Sequence, residues 1–222
     1  MRKPVVLSWS GGKDSALALD ALSRDPEVDV VGLLTSITSG YDRISVHGVR
    51  RSMLQAQVEQ LGLPLFEITL SANCTNDAYE AAFRTALEEI RLRLPDVAHI
   101  AFGDLFLEDV RAYRERLLAS SGFESLFPIW GLDTASLARR FIADGFVARL
   151  ICVDTTQLDA TFAGRLFDEK LLADLPATVD PCGERGEFHT FVSEGPAFST
   201  AIPHRVGETV LRDDRFMFCD IE

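Results

Sequence analysis

Short apolar runs alternate with amphipathic segments along the first hundred residues of the chain. An apolar run without polar alternation is typical of a strand that is covered on both faces of a sheet. Apolar residues at intervals of three and four, as in residues 75–94, predict a helix with one buried face. The predicted strands are residues 5–8, 28–35, 65–68 and 97–102, and the predicted helices are residues 12–23, 47–61 and 75–94.

Repeated strand–helix units of this kind predict an α/β fold with a Rossmann-like parallel sheet, right-handed crossovers and helices on both faces. Ligands of such sheets bind beyond the carboxyl ends of the strands. Three segments follow predicted strand ends, namely residues 10–15, residues 35–47 and the pair Gly103-Asp104. We therefore expect these segments to line one crevice.

The pattern is looser in the second half of the chain. Residues 107–120 predict a helix whose arginines, Arg114 among them, face outward, and Asp133 is a good N-cap for a further helix. We therefore expect a smaller C-terminal α+β domain, with residues 1–125 forming the first domain and residues 126–222 the second. The remaining predicted elements are a strand at residues 146–153 and an apolar stretch at residues 209–218.

The residues directly after the first predicted strand are suited to holding a phosphate group. The glycines allow backbone N–H groups to approach an anion closely, and the following helix presents its positive end to it. A lysine adds a point charge, and serine hydroxyls add short donors. A Walker A loop would need glycine where Leu7 stands, so this is another kind of loop. Its residues are Ser10, Gly11, Gly12, Lys13, Asp14 and Ser15.

Composition and charge exclude several classes of function. The 222 residues are 47% hydrophobic, enough for one large domain or two small ones, and the formal net charge is −12. Without a basic tract, tight binding of nucleic acid is not expected. Four scattered cysteines without a C-x-x-C pair indicate neither a zinc site nor a disulfide framework. The lack of a signal-peptide pattern or a membrane-length apolar run predicts a cytoplasmic protein, and the sequence is compatible with a homodimer.

A second candidate site lies at residues 180–190, where charged groups, a thiol and an imidazole share a loop punctuated by Gly183 and Gly186. Such density is typical of a binding or catalytic loop, and a solvated turn between strands is the alternative. Cys182 has no activating neighbour in the sequence beyond His189, so we expect an ordinary thiol.

Two motifs resemble those of a known family. Residues 10–15 match the S-G-G-x-D-S pyrophosphatase loop (PP-loop) of the adenine nucleotide alpha hydrolase-like superfamily, whose sheet is of the HUP type. Residues 183–196 resemble the G-E-x-G-E-(F/Y)-x-T-(F/Y)-V…P signature of the diphthine–ammonia ligase family, a branch of that superfamily. The resemblance covers nearly the whole chain and favours a bacterial-type branch. Further agreeing segments are His47-Gly48-Val49-Arg50, Gly103-Asp104 and Pro128-Ile129-Trp130-Gly131.

This resemblance implies an ATP-dependent ligase that forms an amide. A substrate carboxylate would attack the α-phosphorus of ATP and release pyrophosphate, and ammonia would then attack the acyl-adenylate and release AMP. The implied cofactors are ATP and Mg²⁺, and the implied partners are ammonium and a carboxylic-acid substrate such as a modified elongation factor. The natural carboxylate acceptor stays open.

The residues of the phosphate loop and of the strand ends receive roles from the same resemblance. Lys13 and Asp14 are candidate catalytic residues, with Asp14 also a candidate Mg²⁺ ligand, although capping of the first helix explains Asp14 equally well. A lone histidine at a helix start, as at His47, is as often a structural cap. The implied ATP-binding residues are Ser10, Gly11, Gly12, Lys13, Ser15, Leu34, Thr35, His47, Gly103 and Asp104.

The second loop supplies candidates for the acceptor side of the reaction. Glu184 and Glu187 are candidate catalytic residues that bind ammonium or accept its proton. Arg185 and His189 are candidate substrate-binding residues, with Arg185 suited to a carboxylate.

Two other classes of function stay open. One is a PP-loop ATP pyrophosphatase that transfers sulfur or nitrogen to another small substrate or to tRNA, which would need reactive cysteine pairs or a basic surface. The other is a non-catalytic sensor of adenine nucleotides, against which the charged loop at residues 184–189 argues.

Overall fold

The structure, a computed structural model, describes residues 2–40, 43–44 and 48–222. Its first half contains a six-stranded sheet with four helices. The strands are β1 (Lys3–Ser8), β2 (Val28–Thr38), β3 (Arg43–Ile44), β4 (Leu65–Leu70), β5 (His99–Ala101) and β6 (Glu124–Leu126). The helices are α1 (Lys13–Arg24), α2 (Arg51–Leu61), α3 (Asn76–Arg93) and α4 (Glu108–Leu118).

Five strands of this first sheet are parallel, in the spatial order β4-β2-β1-β5-β6. The sixth, β3, pairs antiparallel with Ile37 and Thr38, beyond the last residue of β2 that pairs with β1. The order reverses at β1, since β2 lies on one side of β1 and β5 on the other. The carboxyl end of β1 is therefore the position where ligands of such sheets bind.

The first sheet is covered on both faces, as predicted. Successive residues of a strand point to opposite faces, so Val5 and Leu7 join one hydrophobic core while Val6 joins the other. The core around Leu7 includes the buried apolar residues of α1 and α2. The core around Val6 includes Phe83 and Ile90 of α3 and Leu118 of α4.

The second half of the chain forms a four-stranded antiparallel sheet in the order β8-β7-β10-β9. Two helices and one 3₁₀ turn, Ala160–Phe162, accompany it. The second sheet confirms the expected C-terminal α+β region, while the domain division at residue 125 stays a prediction. The strands are β7 (Val147–Asp154), β8 (Phe188–Glu194), β9 (Val206–Arg212) and β10 (Phe216–Ile221), and the helices are α5 (Thr134–Ala143) and α6 (Glu169–Asp174).

The two halves share one hydrophobic core. Leu17 of α1, Phe141 of α5 and Phe191 of β8 all belong to the same buried cluster. Asp133 is the N-cap of α5, as predicted, and its Oδ1 accepts a hydrogen bond from the N–H of Ser136 at 2.8 Å. The shared core fixes β8 beside the N-terminus of α1.

Helix α2 and strand β8 differ from the sequence-based expectation, β6 and α6 were not predicted, and the predicted stretch at residues 209–218 is divided between β9 and β10. Helix α2 begins at Arg51 rather than at residue 47, because Arg50 has extended backbone angles and bridges to Arg43. Strand β8 overlaps the segment that composition indicated as a loop. Its residues Phe188, Phe191 and Val192 are buried, and burial in the shared core favours the extended conformation.

In the described part of the chain, no helix combines the length and the apolar character needed to cross a bilayer.

Candidate active site

A cavity of about 220 Å³ lies at the carboxyl edge of the first sheet. The phosphate loop, the segment after β5 and the loop before β8 meet there, as the sequence predicts for the first two. The predicted residues that line it are Ser10, Gly12, Lys13, Asp14, Ser15, Gly103, Asp104, Glu184 and His189. The other lining residues are Ser8, Phe102, Arg114, Gly183, Gly186, Phe188 and Thr190.

The phosphate loop is held by its own hydroxyl groups. Ser15 Oγ donates to the carbonyl of Gly12 at 2.8 Å, and Ser10 Oγ accepts from the Gly12 N–H at 3.3 Å. Gly11 has a φ of +78°, and a Cβ there would lie 2.6 Å from Gln57 Oε1. Only glycine satisfies both the backbone angle and the space at this position.

Gly103 is required for close packing against the same loop. A Cβ on Gly103 would lie 2.9 Å from the carbonyl carbon and oxygen of Asp14. The chain after β5 therefore passes directly over the first turn of α1. This contact brings Asp104 to the cavity.

Lys13 and Asp14 form an ion pair inside the cavity. Lys13 Nζ lies 2.9 Å from Asp14 Oδ1 and 2.8 Å from Oδ2, and the lysine is only 3% exposed. Burial is the largest single influence and opposes the charge on Lys13, but Asp14, Cys182 and Glu184 together outweigh it, so the pKa of Lys13 lies above its ordinary value. Burial also raises the pKa of Asp14, although Lys13 counteracts part of that rise. The cavity thus holds a preformed buried cation.

Arg114 faces the cavity, so the outward orientation expected for it was wrong. Its guanidinium carbon lies 5.0 Å from the centre of the Phe102 ring, and its Nη1 donates to Tyr79 Oη at 3.3 Å. The contact with the Phe102 ring and the hydrogen bond to Tyr79 hold the guanidinium group of Arg114 against the first sheet. The signal was present in the sequence, because Arg114 precedes the apolar and buried Leu118 by four residues and so shares its side of α4.

Asp104 lies between Arg114 and the phosphate loop. Its Oδ2 is 3.7 Å from Arg114 Nε, and neither of these two buried atoms has a hydrogen-bond partner among the described residues. Burial raises the pKa of Asp104, Arg114 lowers it in part, and Asp14 adds to the rise. Asp104 therefore brings to the cavity a carboxylate oxygen that faces Arg114 without a hydrogen bond to it.

Glu184 and Glu187 differ sharply in their surroundings. Glu184 lines the cavity, and its Oε1 accepts from the Leu105 N–H at 2.7 Å. Burial raises the pKa of Glu184 to about 7, although the Leu105 hydrogen bond opposes the rise. Glu187 is 1% exposed, and its two oxygens accept from the N–H groups of Asp180 and Arg185, each at 2.9 Å. In this conformation Glu187 shapes the loop that carries Glu184, and a direct contact with ammonium stays a prediction.

The other predicted residues of the second loop occupy distinct environments. His189 lines the cavity, and burial together with Lys13 lowers its pKa to about 4, so its imidazole is neutral at pH 7. The Arg185 side chain is 56% exposed, and its guanidinium carbon lies 5.5 Å from the Phe106 ring. Burial raises the pKa of Cys182 to about 12, and its Sγ donates to the Thr134 carbonyl, which agrees with an ordinary thiol.

The residues predicted to contact adenine lie apart from this cavity. Leu34 and Thr35 are buried in β2, and the Leu34 carbonyl accepts from the Trp9 N–H at 2.7 Å. A second depression of about 310 Å³ lies nearer the ends of β2 and β4, lined in part by Thr38 and Glu67. His47 lies outside the described residues. The adenine contacts stay a prediction.

A parallel sheet flanked by helices, with a glycine-rich loop between β1 and α1 at its carboxyl edge, defines an α/β protein of the HUP-type class. Comparison with family models makes the assignment more specific. The chain belongs to the diphthamide synthase family, since the model of its N-terminal domain matches residues 2–125 and that of its C-terminal domain matches residues 133–221.

Two curated proteins are similar to the chain at modest identity. A diphthine–ammonia ligase of Schizosaccharomyces pombe is 26% identical over 211 residues, which are 87% of this chain and 34% of that protein. A diphthine–ammonia ligase of Danio rerio is 26% identical over 223 residues, which are 92% of this chain and 88% of that protein. The chain thus spans about a third of the first relative and most of the second.

Proposed function

We propose that the chain is an ATP-dependent ligase that adenylates a substrate carboxylate and transfers ammonia to it. The observation that carries the proposal is the meeting of Lys13 and Glu184 in one cavity, a buried cation beside a carboxyl group with a pKa near neutrality. The Lys13 cation suits the leaving pyrophosphate, and the Glu184 carboxyl group suits an ammonium ion. The names of the two relatives support the same reaction.

In the first step, the carboxylate oxygen of the substrate attacks the α-phosphorus, and the bond to the β-phosphate oxygen breaks. Negative charge then develops on pyrophosphate, and a cation already in position stabilises it without reorganisation. Lys13 supplies that charge, and the N-terminus of α1 adds the positive end of its dipole. Arg114 is a second cation that lines the cavity.

Mg²⁺ bound by one or two carboxylates and by phosphate oxygens would neutralise charge on the polyphosphate. Asp104 fits this role, because its Oδ2 has no hydrogen-bond partner among the described residues. Both oxygens of Asp14 contact Lys13 instead. Within the described ranges no three acidic, histidine or cysteine side chains could hold a metal together, so phosphate oxygens would complete the site.

In the second step, Glu184 accepts a proton from ammonium and leaves ammonia beside the acyl-adenylate. The nitrogen lone pair attacks the carbonyl carbon, a second proton passes from the nitrogen to solvent water, and AMP departs with the electrons of the broken carbon–oxygen bond. A carboxyl group with a pKa of about 7 is suited to this exchange, because it is present in both protonation states at neutral pH. Arg185 and His189 are proposed to contact the acceptor.

The test is a reaction with purified protein, ATP, Mg²⁺ and ammonium, with diphthine-bearing elongation factor and small carboxylic acids offered as acceptors. We expect AMP, pyrophosphate and amide in equal amounts, and only when acceptor and ammonium are both present. Turnover of ATP that does not depend on ammonium would indicate a different PP-loop pyrophosphatase. Nucleotide binding with no turnover for any acceptor would indicate a sensor.

A further inference from the structure

Gln57 of α2 is completely buried between the phosphate loop and the second sheet. Its Oε1 accepts a hydrogen bond from the indole N–H of Trp9 at 3.0 Å. Its Nε2 donates to the carbonyl of Gly11 at 3.0 Å and to the carbonyl of Val192 at 2.7 Å. Both amide hydrogens are therefore used. Two of the three partners, Trp9 and Gly11, lie between β1 and α1, and the third, Val192, lies in β8.

The Gly11 carbonyl receives a second hydrogen bond, from the N–H of Val192 at 2.9 Å. Two donors thus hold this oxygen on the side of β8. In a trans peptide the carbonyl and the following N–H point in opposite directions, so fixing the Gly11 carbonyl also fixes the Gly12 N–H. Gly12 and Ser10 both line the cavity, and the Gly12 N–H donates to Ser10 Oγ at a long 3.3 Å, so this N–H is a candidate donor to a bound phosphate there.

We propose that Gln57 is a positioning residue for the phosphate loop, which turns the Gly12 N–H toward the cavity by holding the Gly11 carbonyl. The inference rests on the proposed function in one respect, namely that the cavity takes a pyrophosphate group. Hydrogen bonds to Gly11 and Val192 require an amide nitrogen, so the role depends on glutamine and not merely on side-chain volume.

Gln57→Met keeps a similar length and removes all three hydrogen bonds. Gln57→Glu keeps the acceptor for Trp9 but places a carboxylate against two carbonyl oxygens. Protonation of that carboxylate restores one donor, so its effect depends on pH whereas the effect of methionine does not. Gln55→Glu is the matched control, because Gln55 lies exposed on the same helix and bonds only weakly to Glu59 at 3.5 Å.

The experiment measures the dissociation constant for inorganic pyrophosphate by calorimetry between pH 5.5 and 8.5, well below the melting temperature of each variant. We expect about a tenfold loss of affinity for Gln57→Met at every pH, from loss of a buried hydrogen-bonded network. For Gln57→Glu we expect a loss, relative to wild type at the same pH, that grows as pH rises. Gln55→Glu should match wild type throughout.

Unchanged affinity in both Gln57 variants, with wild type binding pyrophosphate, overturns the positioning role. A loss for Gln57→Glu that does not vary with pH and equals that of Gln57→Met also overturns it, because loss of packing alone would produce that result. Failure of wild type to bind pyrophosphate or ATP refutes the proposed function instead. If a Gln57 variant does not fold, Trp9→Phe removes the indole donor to Gln57 together with part of a buried ring, and a loss of a few-fold is expected. Unchanged affinity in that variant overturns the positioning role.

Discussion

The side chain of Thr190 caps helix α1 from 177 positions away in the sequence. Its Oγ1 accepts a hydrogen bond from the backbone N–H of Lys13 at 3.0 Å. The N-cap residue of α1 is Gly12, which has no side chain to provide this acceptor. A hydroxyl from β8 therefore supplies what the local sequence lacks, and the regions matched by the two family models build one site.

The Thr190 cap gives a prediction for stability. Thr190→Val keeps the shape of the side chain but leaves the Lys13 N–H without its acceptor, so we expect a loss of about 1 kcal/mol in the free energy of unfolding. Urea denaturation measures it. Thr190→Ser keeps the hydroxyl and should lose less. If the valine variant is as stable as wild type, the hydrogen bond contributes nothing to the fold.

Lys13 gives a prediction for nucleotide use. Lys13→Met removes the only lysine that lines the described cavity, so we expect kcat/KM for ATP to fall by about 100-fold or more, as for loss of a preorganised charge. Steady-state assays of AMP formation measure it. Lys170→Met is the matched control, since Lys170 is exposed on α6 and should leave the rate unchanged. Near-normal turnover in Lys13→Met would contradict the assignment of the phosphate loop.

Glu184 gives a prediction for pH dependence. Its carboxylate form accepts the proton, and its pKa is about 7, so the ammonia-dependent rate should fall as pH drops below 7. Because ammonium is the species that donates this proton, the ammonium concentration must be held constant, and below saturation, at each pH. Glu184→Gln should remove the inflection near pH 7 and lower the rate, whereas Glu108→Gln, on the exposed start of α4, should keep the profile.

The same carboxyl group links pH to stability. Because burial raises the folded-state pKa of Glu184 above its ordinary value of 4.5, the folded protein binds more protons than the unfolded chain between about pH 4.5 and 7. Ionisation of Glu184 therefore lowers the free energy of unfolding as pH rises from about 4.5 to 7. Glu184→Gln should melt higher than wild type at pH 8 and show little difference at pH 4.5. The opposite trend would mean that Glu184 is not held in a desolvated position.

The sequence predicted the parallel sheet and the phosphate loop because both depend on local patterns. Apolar runs identify strands such as β1, and the order of residues 10–15 identifies the loop that follows. The contacts that complete the site depend on tertiary packing instead. Thr190 reaches Lys13, and Gln57 reaches Gly11 and Val192, only because α2 and β8 both pack against the loop. No local sequence pattern predicts such pairs.

Asp220 near the end of β10 joins the second sheet to the segment before α2. Its oxygens contact the guanidinium groups of Arg43 and Arg50, with Arg43 Nη1 at 2.9 Å and Arg50 Nε at 3.0 Å. Hydrogen bonds from Arg50, reinforced by Arg43, lower the pKa of Asp220 to about 2. The stabilisation from ionised Asp220 is therefore present above its ordinary pKa of 3.8 and is lost as pH falls toward 2.

Asp220→Asn should lower the free energy of unfolding by about 1 kcal/mol at pH 7, because the pair is partly exposed and solvent screens it. The difference should shrink in 1 M salt and below pH 3. Asp174→Asn, which breaks the exposed pair with Arg165 at 2.6 Å, is the control and should cost less. We expect the larger loss for Asp220→Asn, because its carboxylate is shared by two arginines and links both halves of the chain. Equal losses for the two variants would mean that the Asp220 cluster contributes no more than an ordinary surface ion pair.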